Sequence, residues 1–224
     1  DALLVRSAGL LQRLIALGGP GALLEDGETP IPALHGDFSL NAANVLSVTR
    51  LLELGIERLA LTHDLNAHQA AALAGALPAE HRASLELIAH HHLPIFHTEY
   101  CAFARFLSRG NSYRDCGRPC ERHEVALRDH VDREHPVIVD VGCRNTLFNA
   151  VAQSGAEIVQ PLLQVNVRFF RVELLNDDPP DQLDLDRTIR LYRDLLEGKI
   201  AGRDVILSRT GYTGEPVAFE VFVP

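Results

Sequence analysis

The chain has 224 residues, of which 46% are hydrophobic and 23% are charged, and its formal net charge at pH 7 is −9. This composition is typical of a soluble globular protein, and the negative charge excludes a broad nucleic-acid-binding surface, because neutralising phosphates requires a basic face. No run of about 18 apolar residues and no cleavable leader pattern occurs, so we expect a cytoplasmic protein without a membrane span.

The first part of the chain alternates strand and helix signals. The amphipathic N-terminal stretch, with leucine and isoleucine at helical spacing, predicts a helix that ends at Gly18, Gly19 and Pro20. A short strand is expected over residues 31–41 and a helix over 44–54. The next strand and helix are expected over residues 56–66 and 67–77.

The second part continues this alternation. Residues 83–96 predict a third strand, residues 135–143 and 167–176 read as further strands, and residues 183–199 predict a helix that Gly198 ends. Strand and helix in turn favour a mainly parallel sheet flanked by helices, either open or closed as a (β/α) TIM-type barrel. Too few units are present to close eight strands. The chain starts at Asp1 and contains no methionine, so we expect a piece of a longer protein.

Polar side chains cluster where the predicted strands end. They are Asn41, His63 with Asp64, the histidines of residues 90–92, and Arg171 with Glu173. The C-terminal mouth of the strands carries the chemistry of a barrel. Because neighbouring strand residues face opposite ways, the three consecutive histidines do not form one three-ligand site.

All four cysteines lie in one stretch, at Cys101, Cys116, Cys120 and Cys143. Disulfides need an oxidising compartment, and unrelated buried thiols would be scattered through apolar segments. Of these three interpretations we therefore favour a metal site, which would hold either a structural zinc or an iron–sulfur cluster. Zinc sites usually offer two close cysteine pairs and only one is present here, so spacing alone favours iron–sulfur slightly.

Arginines crowd the same stretch, at Arg105, Arg109, Arg114, Arg118 and Arg122. Such a cluster can meet an anion or can pair with nearby carboxylates such as Glu121. Because most surface charge runs have no ligand, we favour the solvated, ion-paired interpretation.

Several motifs in order, "LPIFHTEYC", "RDCGRPC", "ALRDH", "HPVIVDVGCRNTLFN" and "FFRVELL", resemble the collagenase-like peptidase family U32, over roughly residues 30 to 200. The resemblance implies a partial barrel domain, residues 1–206, that carries a cysteine-bearing insertion. It also implies that the four cysteines bind a [4Fe-4S] cluster, with zinc as the alternative. One departure is the approach to Cys101, which differs from the pattern of many family members.

Members of the family carry two kinds of activity, peptidase and oxygen-independent hydroxylation in quinone synthesis or on RNA bases. The resemblance therefore implies a small carboxylate such as prephenate as a partner, and also RNA or a protein. No GxSxG and no HExxH motif supports a peptidase in the residues themselves. A metal-stabilised domain that binds a substrate without catalysis is the competing hypothesis.

On the hydroxylase interpretation, Arg144 and Arg171 are expected to hold a carboxylate, since guanidinium pairs with it bidentately. His97, Glu99 and Glu173 are candidates for proton transfer. An ordinary pairing of Arg171 with Glu173 competes with these roles.

Asn41 is a candidate for substrate binding. Either Asn41 or the nearby Asn44 is alternatively expected to cap the following helix.

The last residues, 207–224, resemble the "SRTGYTGE" segment of glycine cleavage aminomethyltransferases. This tail is either the start of a second module or a chance hairpin.

Overall fold

A computed structural model of the chain describes residues 1–24, 26–110, 112–175 and 182–205, with the side chains of 182–185 left aside. The predictions for residues 207–224 lie outside the described residues. The chain divides into two compact units. We call the first the parallel-sheet unit; it comprises Asp1–Ala89, Ser154–Val172 and the described residues from 182 onward. The second, the cysteine unit, comprises His90–Gln153 and Glu173–Leu175.

Strands and helices alternate along the parallel-sheet unit, as the sequence predicts. The strands are β1 (Ala2–Val5), β2 (Ala33–Gly36), β3 (Ile56–Ala60), β4 (Leu85–His91, whose last two residues belong to the cysteine unit), β9 (Gln153–Ser154, whose first residue belongs to the cysteine unit) and β10 (Phe169–Val172). The helices are α1 (Ala8–Ala16), α2 (Val45–Glu53), α3 (Ala67–Ala76), α4 (Ala79–Ala83), α6 (Ala156–Gln164) and α7 (Gln182–Leu196).

The sheet of this unit runs in the order β1-β2-β3-β4-β10, with β9 paired to β4 outside that path. The pairs β1–β2, β2–β3 and β3–β4 are parallel. The prediction of a mixed α/β fold with a parallel sheet is therefore confirmed. Within the described residues the strand path stays open and does not close into a barrel.

The core forms where the strands meet the helices. Leu34, Leu59 and Leu85, one from each of three neighbouring strands, are completely buried. They pack with buried residues of the surrounding helices, including Val48 of α2 and Leu162 of α6. Burial of apolar area from both layers is what holds the sheet and helices together.

Several predicted boundaries in this unit are wrong. The N-terminal stretch opens with strand β1 before α1 begins. The four residues of β1 are apolar like the buried face of the helix, so the pattern did not separate the two elements. The strand expected over 31–41 ends at Gly36, because a 3₁₀ turn, Phe38–Leu40, follows it. The strand expected over 56–66 likewise ends at Ala60. The helix predictions for 44–54, 67–77 and 183–199 are confirmed within a few residues.

The cysteine unit is built on an antiparallel sheet. Its strands are β5 (Pro94–Thr98), β6 (Val125–Arg128), β7 (Glu134–Asp140) and β8 (Arg144–Phe148), in the order β5-β8-β7-β6. A short helix, α5 (Ala102–Leu107), and a 3₁₀ turn, Pro119–Glu121, lie between β5 and β6.

Two predictions about this region are wrong. The single strand expected over 83–96 is two strands in different sheets, since β4 ends at His91 and β5 starts at Pro94. Residues 135–143 contribute to an antiparallel hairpin with β8, not to a parallel barrel strand. Hydrophobic alternation is the same for either strand direction, so the pattern did not reveal the second sheet.

Candidate functional site

The four cysteines all lie in the cysteine unit, and all four are partly buried free thiols. Cys101 is the N-cap of α5, where its Sγ accepts the Ala104 N–H at 3.4 Å. Cys116 holds its loop in the same way, since its Sγ accepts the Arg118 N–H at 3.4 Å. In both cases a backbone N–H that points at the sulfur holds the cysteine side chain in place.

Cys120 interacts electrostatically with Cys101 and Cys116. It lies in the 3₁₀ turn that packs against α5. Burial raises the pKa of the Cys120 thiol, and the negative charges of Cys101 and Cys116 raise it further. Cys120 is therefore within electrostatic range of both other sulfurs, although the three lie on separate elements.

Cys143 sits at the tip of the β7–β8 hairpin. Asp140 and Arg144 are paired across the two strands, so Cys143 belongs to the three-residue connection between them. Cys143 has a φ of 63° and the preceding Gly142 a φ of 81°, and these left-handed conformations make the tight turn. A cysteine is uncommon in this conformation, and the hairpin holds it there through the Cys143 N–H, which donates to the Asp140 carbonyl at 3.1 Å.

A buried asparagine connects this hairpin to the first cysteine. The Asn145 side chain on β8 is almost fully buried, and its Oδ1 accepts the Ala102 N–H at 2.6 Å. Ala102 directly follows Cys101, and Asn145 follows Cys143 by two residues. Sequence reasoning missed Asn145; the available signal was an asparagine two residues after Cys143, just beyond the predicted strand of residues 135–143.

The donor set suits a thiolate-ligated metal group, since four cysteines supply soft sulfur ligands. Within the residues that the structure describes, no three His, Cys, Asp or Glu side chains are already grouped to hold a metal ion. The Nδ2 of Asn145, however, is buried and makes no hydrogen bond to any described residue. A buried amide donor beside two cysteine-bearing segments fits a missing sulfur acceptor.

Two of the other predicted site residues meet on the cysteine unit. Arg144 Nη1 lies 3.8 Å from Glu99 Oε1, and both side chains are substantially exposed, 42% and 82%. A long, solvent-exposed ion pair contributes little stability, so the Arg144 guanidinium remains accessible to a ligand. Arg144 also donates from Nε to the Val141 carbonyl at 3.2 Å, which orients it over the hairpin tip.

His97 and Glu173 also lie in the cysteine unit. His97 Nδ1 lies 3.0 Å from the Thr146 hydroxyl, its cross-strand partner on β8. The Glu173 N–H donates to the His90 carbonyl at 2.7 Å. The sheet register thus brings an imidazole and a hydroxyl together on the exposed surface of the unit.

The arginine cluster borders an open cleft of about 660 Å³, lined by Tyr113, Arg114, Gly117, Arg118, Glu121 and Arg122. Arg118 pairs with Glu121 at 3.1 Å. Arg122 donates to the Gly117 carbonyl at 2.8 Å, and Arg114 donates to the Tyr113 hydroxyl at 3.1 Å. The ion-paired interpretation therefore holds for Arg118, whereas the described contacts of Arg114 and Arg122 are with neutral oxygens.

The remaining predicted residues lie in the parallel-sheet unit. Asn41 is exposed and ends the 3₁₀ turn with a φ of 56°, in the left-handed region that asparagine tolerates well. Asn44 is the N-cap of α2 and forms a capping box with Ser47, so the prediction that one of these asparagines caps the helix is confirmed.

Arg171 belongs to a charge network that the sequence did not predict. It binds the buried carboxylate of Asp37 at 2.5 Å and Glu86 at 3.1 Å. Arg6 binds the other oxygen of Asp37 at 2.8 Å, and Arg58 lies 3.9 Å from Glu86. We call these five residues the charge network. Two sequence features could have revealed this network: Asp37 directly follows β2, and Glu86 interrupts an apolar strand.

Two histidines lie near this network, and burial lowers both pKa values. Burial lowers the pKa of His63 to about 4, against the opposing pull of Asp37 and Asp64. Burial and the positive charge of Arg58 likewise lower the pKa of His35. Both imidazoles are therefore neutral at pH 7.

The chain is a mixed α/β protein, and all four cysteines lie in the unit that is built on an antiparallel sheet. The family model of peptidase family U32 matches residues 25–212, which include the four cysteines and most of the charge network. The chain therefore belongs to peptidase family U32. Comparisons with curated proteins and with solved structures gave no match.

None of the helices in the described part of the chain combines the length and apolar character needed to cross a bilayer.

Proposed function

We propose that this chain carries the cluster-binding part of an iron–sulfur enzyme of family U32, with Cys101, Cys116, Cys120 and Cys143 as ligands of a [4Fe-4S] cluster. The observation that carries this proposal is that the 3₁₀ turn holding Cys120 packs against α5, whose N-cap is Cys101. The Asn145 hydrogen bond to Ala102 adds the Cys143 hairpin to the same region. The proposed ligands thus come from four separate segments of the cysteine unit.

The reaction we propose is an oxygen-independent hydroxylation or a related modification of RNA or a quinone. When bound, a cluster with four cysteine ligands supplies electron transfer. Substrate binding then falls to the residues of the chain itself. Arg144 is the best placed, because its guanidinium is exposed beside Cys143 and its ion pair with Glu99 is long.

The donor in this reaction is a small carboxylate such as prephenate, which a guanidinium recognises with two parallel hydrogen bonds. Arg171 and Asn41 are weaker candidates for the same role. Arg171 is already paired with two carboxylates, those of Asp37 and Glu86. Asn41 already serves the turn before α2.

Proton transfer is assigned to the exposed groups near the cysteines. His97 and Glu99 both lie on or next to β5, within the unit that holds the thiols. Glu173 is the third candidate. We also infer that the open parallel sheet is part of a (β/α) barrel. For residues 207–224 both interpretations stand, the start of a second module and a chance hairpin. Cytoplasmic location follows from the need of the cluster for a reducing compartment.

Metal analysis tests the cluster. Anaerobically purified protein is expected to be brown and to contain about four irons and four sulfides per chain, whereas a colourless protein with one zinc supports the structural alternative. Cys116→Ser is expected to lose most of the iron. Tyr113→Phe is the matched control, since it changes the same loop without touching a thiol. Unchanged iron in Cys116→Ser contradicts the shared site.

Peptidase activity is the second candidate, and the family's name together with the His97–Thr146 contact favours it. An imidazole within hydrogen-bond distance of a hydroxyl is the minimum of an activated nucleophile. Peptide hydrolysis that survives chelation and all four cysteine changes, and that Thr146→Val abolishes, would support this candidate against the cluster enzyme.

A further inference from the structure

We infer that Asn145 is a hydrogen-bond donor to the sulfur of the metal centre. Its side-chain amide would donate to a cysteine Sγ or a cluster sulfide. This hydrogen bond would anchor the centre to β8 and raise its reduction potential. This inference rests on the proposed function, since it needs a metal centre at the four cysteines.

The first step is the burial of the amide. Asn145 is 2% exposed, on a sheet whose other residues are partly or fully exposed. Its Nδ2 makes no hydrogen bond to any described residue. Leaving a buried donor without a partner is costly, and native proteins rarely tolerate it. We therefore expect an acceptor other than the described residues to receive the hydrogen bonds of this amide.

The second step is the orientation of the amide. Oδ1 accepts the Ala102 N–H at 2.6 Å. Turning the amide over would place its NH2 group against another N–H donor, so the contact with Ala102 fixes which end is oxygen. The NH2 end must then point elsewhere in the buried space.

The third step is the position of that space. Ala102 follows Cys101 at the start of α5, and Asn145 lies two residues after Cys143 on β8. The amide thus bridges the segments of two proposed ligands. Hydrogen bonds to sulfur ligands raise the reduction potential of iron–sulfur clusters, because they withdraw charge from the sulfur. The sulfur chemistry of the centre and the position of the Asn145 amide both favour a thiolate or sulfide as the acceptor.

The experiment compares asparagine variants of the full chain after anaerobic reconstitution with ferrous iron and sulfide. Asn145→Asp keeps the oxygen for Ala102 and removes both N–H donors, and Asn145→Ala removes the donors without adding charge. Asn149→Asp is the matched control, because it makes the same change further along the same segment. We expect both Asn145 variants to lose iron to a chelator about ten- to a hundredfold faster than wild type. Their midpoint potentials should also fall below those of wild type and the control.

A measurement on the wild-type protein covers the case in which the variants do not fold. With ¹⁵N-labelled asparagine, pulsed electron paramagnetic resonance of the reduced cluster should show a coupled ¹⁵N with exchangeable protons. Absence of that coupling overturns the inference, as does an Asn145 series that retains iron and potential like Asn149→Asp.

The outcomes separate the two proposals. A wild-type chain that takes up no iron, or a Cys116→Ser variant that keeps all of it, overturns the proposed function and this inference with it. If iron binding is lost in Cys116→Ser but is unchanged in the Asn145 variants, only this inference is overturned.

Discussion

Arg171 donates to the fully buried carboxylate of Asp37 at 2.5 Å, which joins β10 to the end of β2 across 134 residues of chain. The contact is the centre of the charge network, since Arg171 also binds Glu86 and Asp37 also binds Arg6. Two carboxylates alternate with three guanidinium groups, so each buried charge has an opposite neighbour. Such a network is stable only when complete.

Asp37→Asn is expected to lower the free energy of unfolding by about 3 to 5 kcal/mol, because it removes the buried negative charge that Arg6 and Arg171 both contact. Urea denaturation of the full chain measures this. Glu53→Gln is the control, since it breaks an exposed pair with Arg50 and should cost less than about 1 kcal/mol. Equal effects of the two changes would show that the buried network adds no stability.

The lowered pKa of His63 predicts that acidification reduces the stability of the folded chain. Because burial lowers its folded-state pKa to about 4, against 6.5 as the ordinary value, the unfolded chain binds more protons between these limits. The contribution of His63 is therefore fully present above pH 6.5, falls as the pH drops towards 4, and is then constant. After allowance for solvent screening, the loss should be on the order of 2 kcal/mol.

Unfolding measured at several pH values checks this slope. His63→Gln should flatten it between pH 6.5 and 4, whereas His68→Gln, at an exposed position on α3, should leave it as in wild type. A slope that persists in His63→Gln would assign the acid sensitivity to other groups.

Gly110→Ala is expected to disturb the loop of Cys116. A Cβ on Gly110 would clash with the Asp115 carbonyl oxygen, a backbone atom that moves only if the loop moves. The free energy of unfolding should fall by about 1 to 3 kcal/mol, and reconstituted iron should fall several-fold. Thermal unfolding and iron analysis measure both.

Gly75→Ala is the matched control for that change. Gly75 lies in α3, where an added Cβ meets nothing within 4 Å, so alanine should stabilise the helix by about 0.5 to 1 kcal/mol. If Gly110→Ala behaves like Gly75→Ala, the Gly110 loop tolerates displacement and does not position Cys116.

The two asparagines before α2 should respond differently to substitution. Asn44→Ala removes the N-cap and the capping box and is expected to cost about 1 kcal/mol. Asn41→Gly should change stability by less than about 0.5 kcal/mol, because glycine also adopts the left-handed turn conformation. Chemical denaturation of both variants tests this. An Asn41→Gly variant that is stable but binds substrate poorly would support the substrate role of Asn41.

Local signals predicted the helices well, because caps and glycines act within a few residues. Asn44 and Gly55 bound α2, and the leucine spacing in α1 gives its buried face, as expected from pattern alone. The cysteine spacing and the ordered motifs likewise led to family U32 without coordinates.

The sequence by itself determined the α/β class, the helix ends and the grouping of all thiols in one stretch, since these depend on residue order and short-range chemistry. Tertiary structure alone decided that residues 135–148 form an antiparallel hairpin, that Asp37 meets Arg171, and that Asn145 is buried beside Cys101. Strand direction and long-range pairing leave no periodic trace, because they depend on which surfaces meet when the whole chain packs.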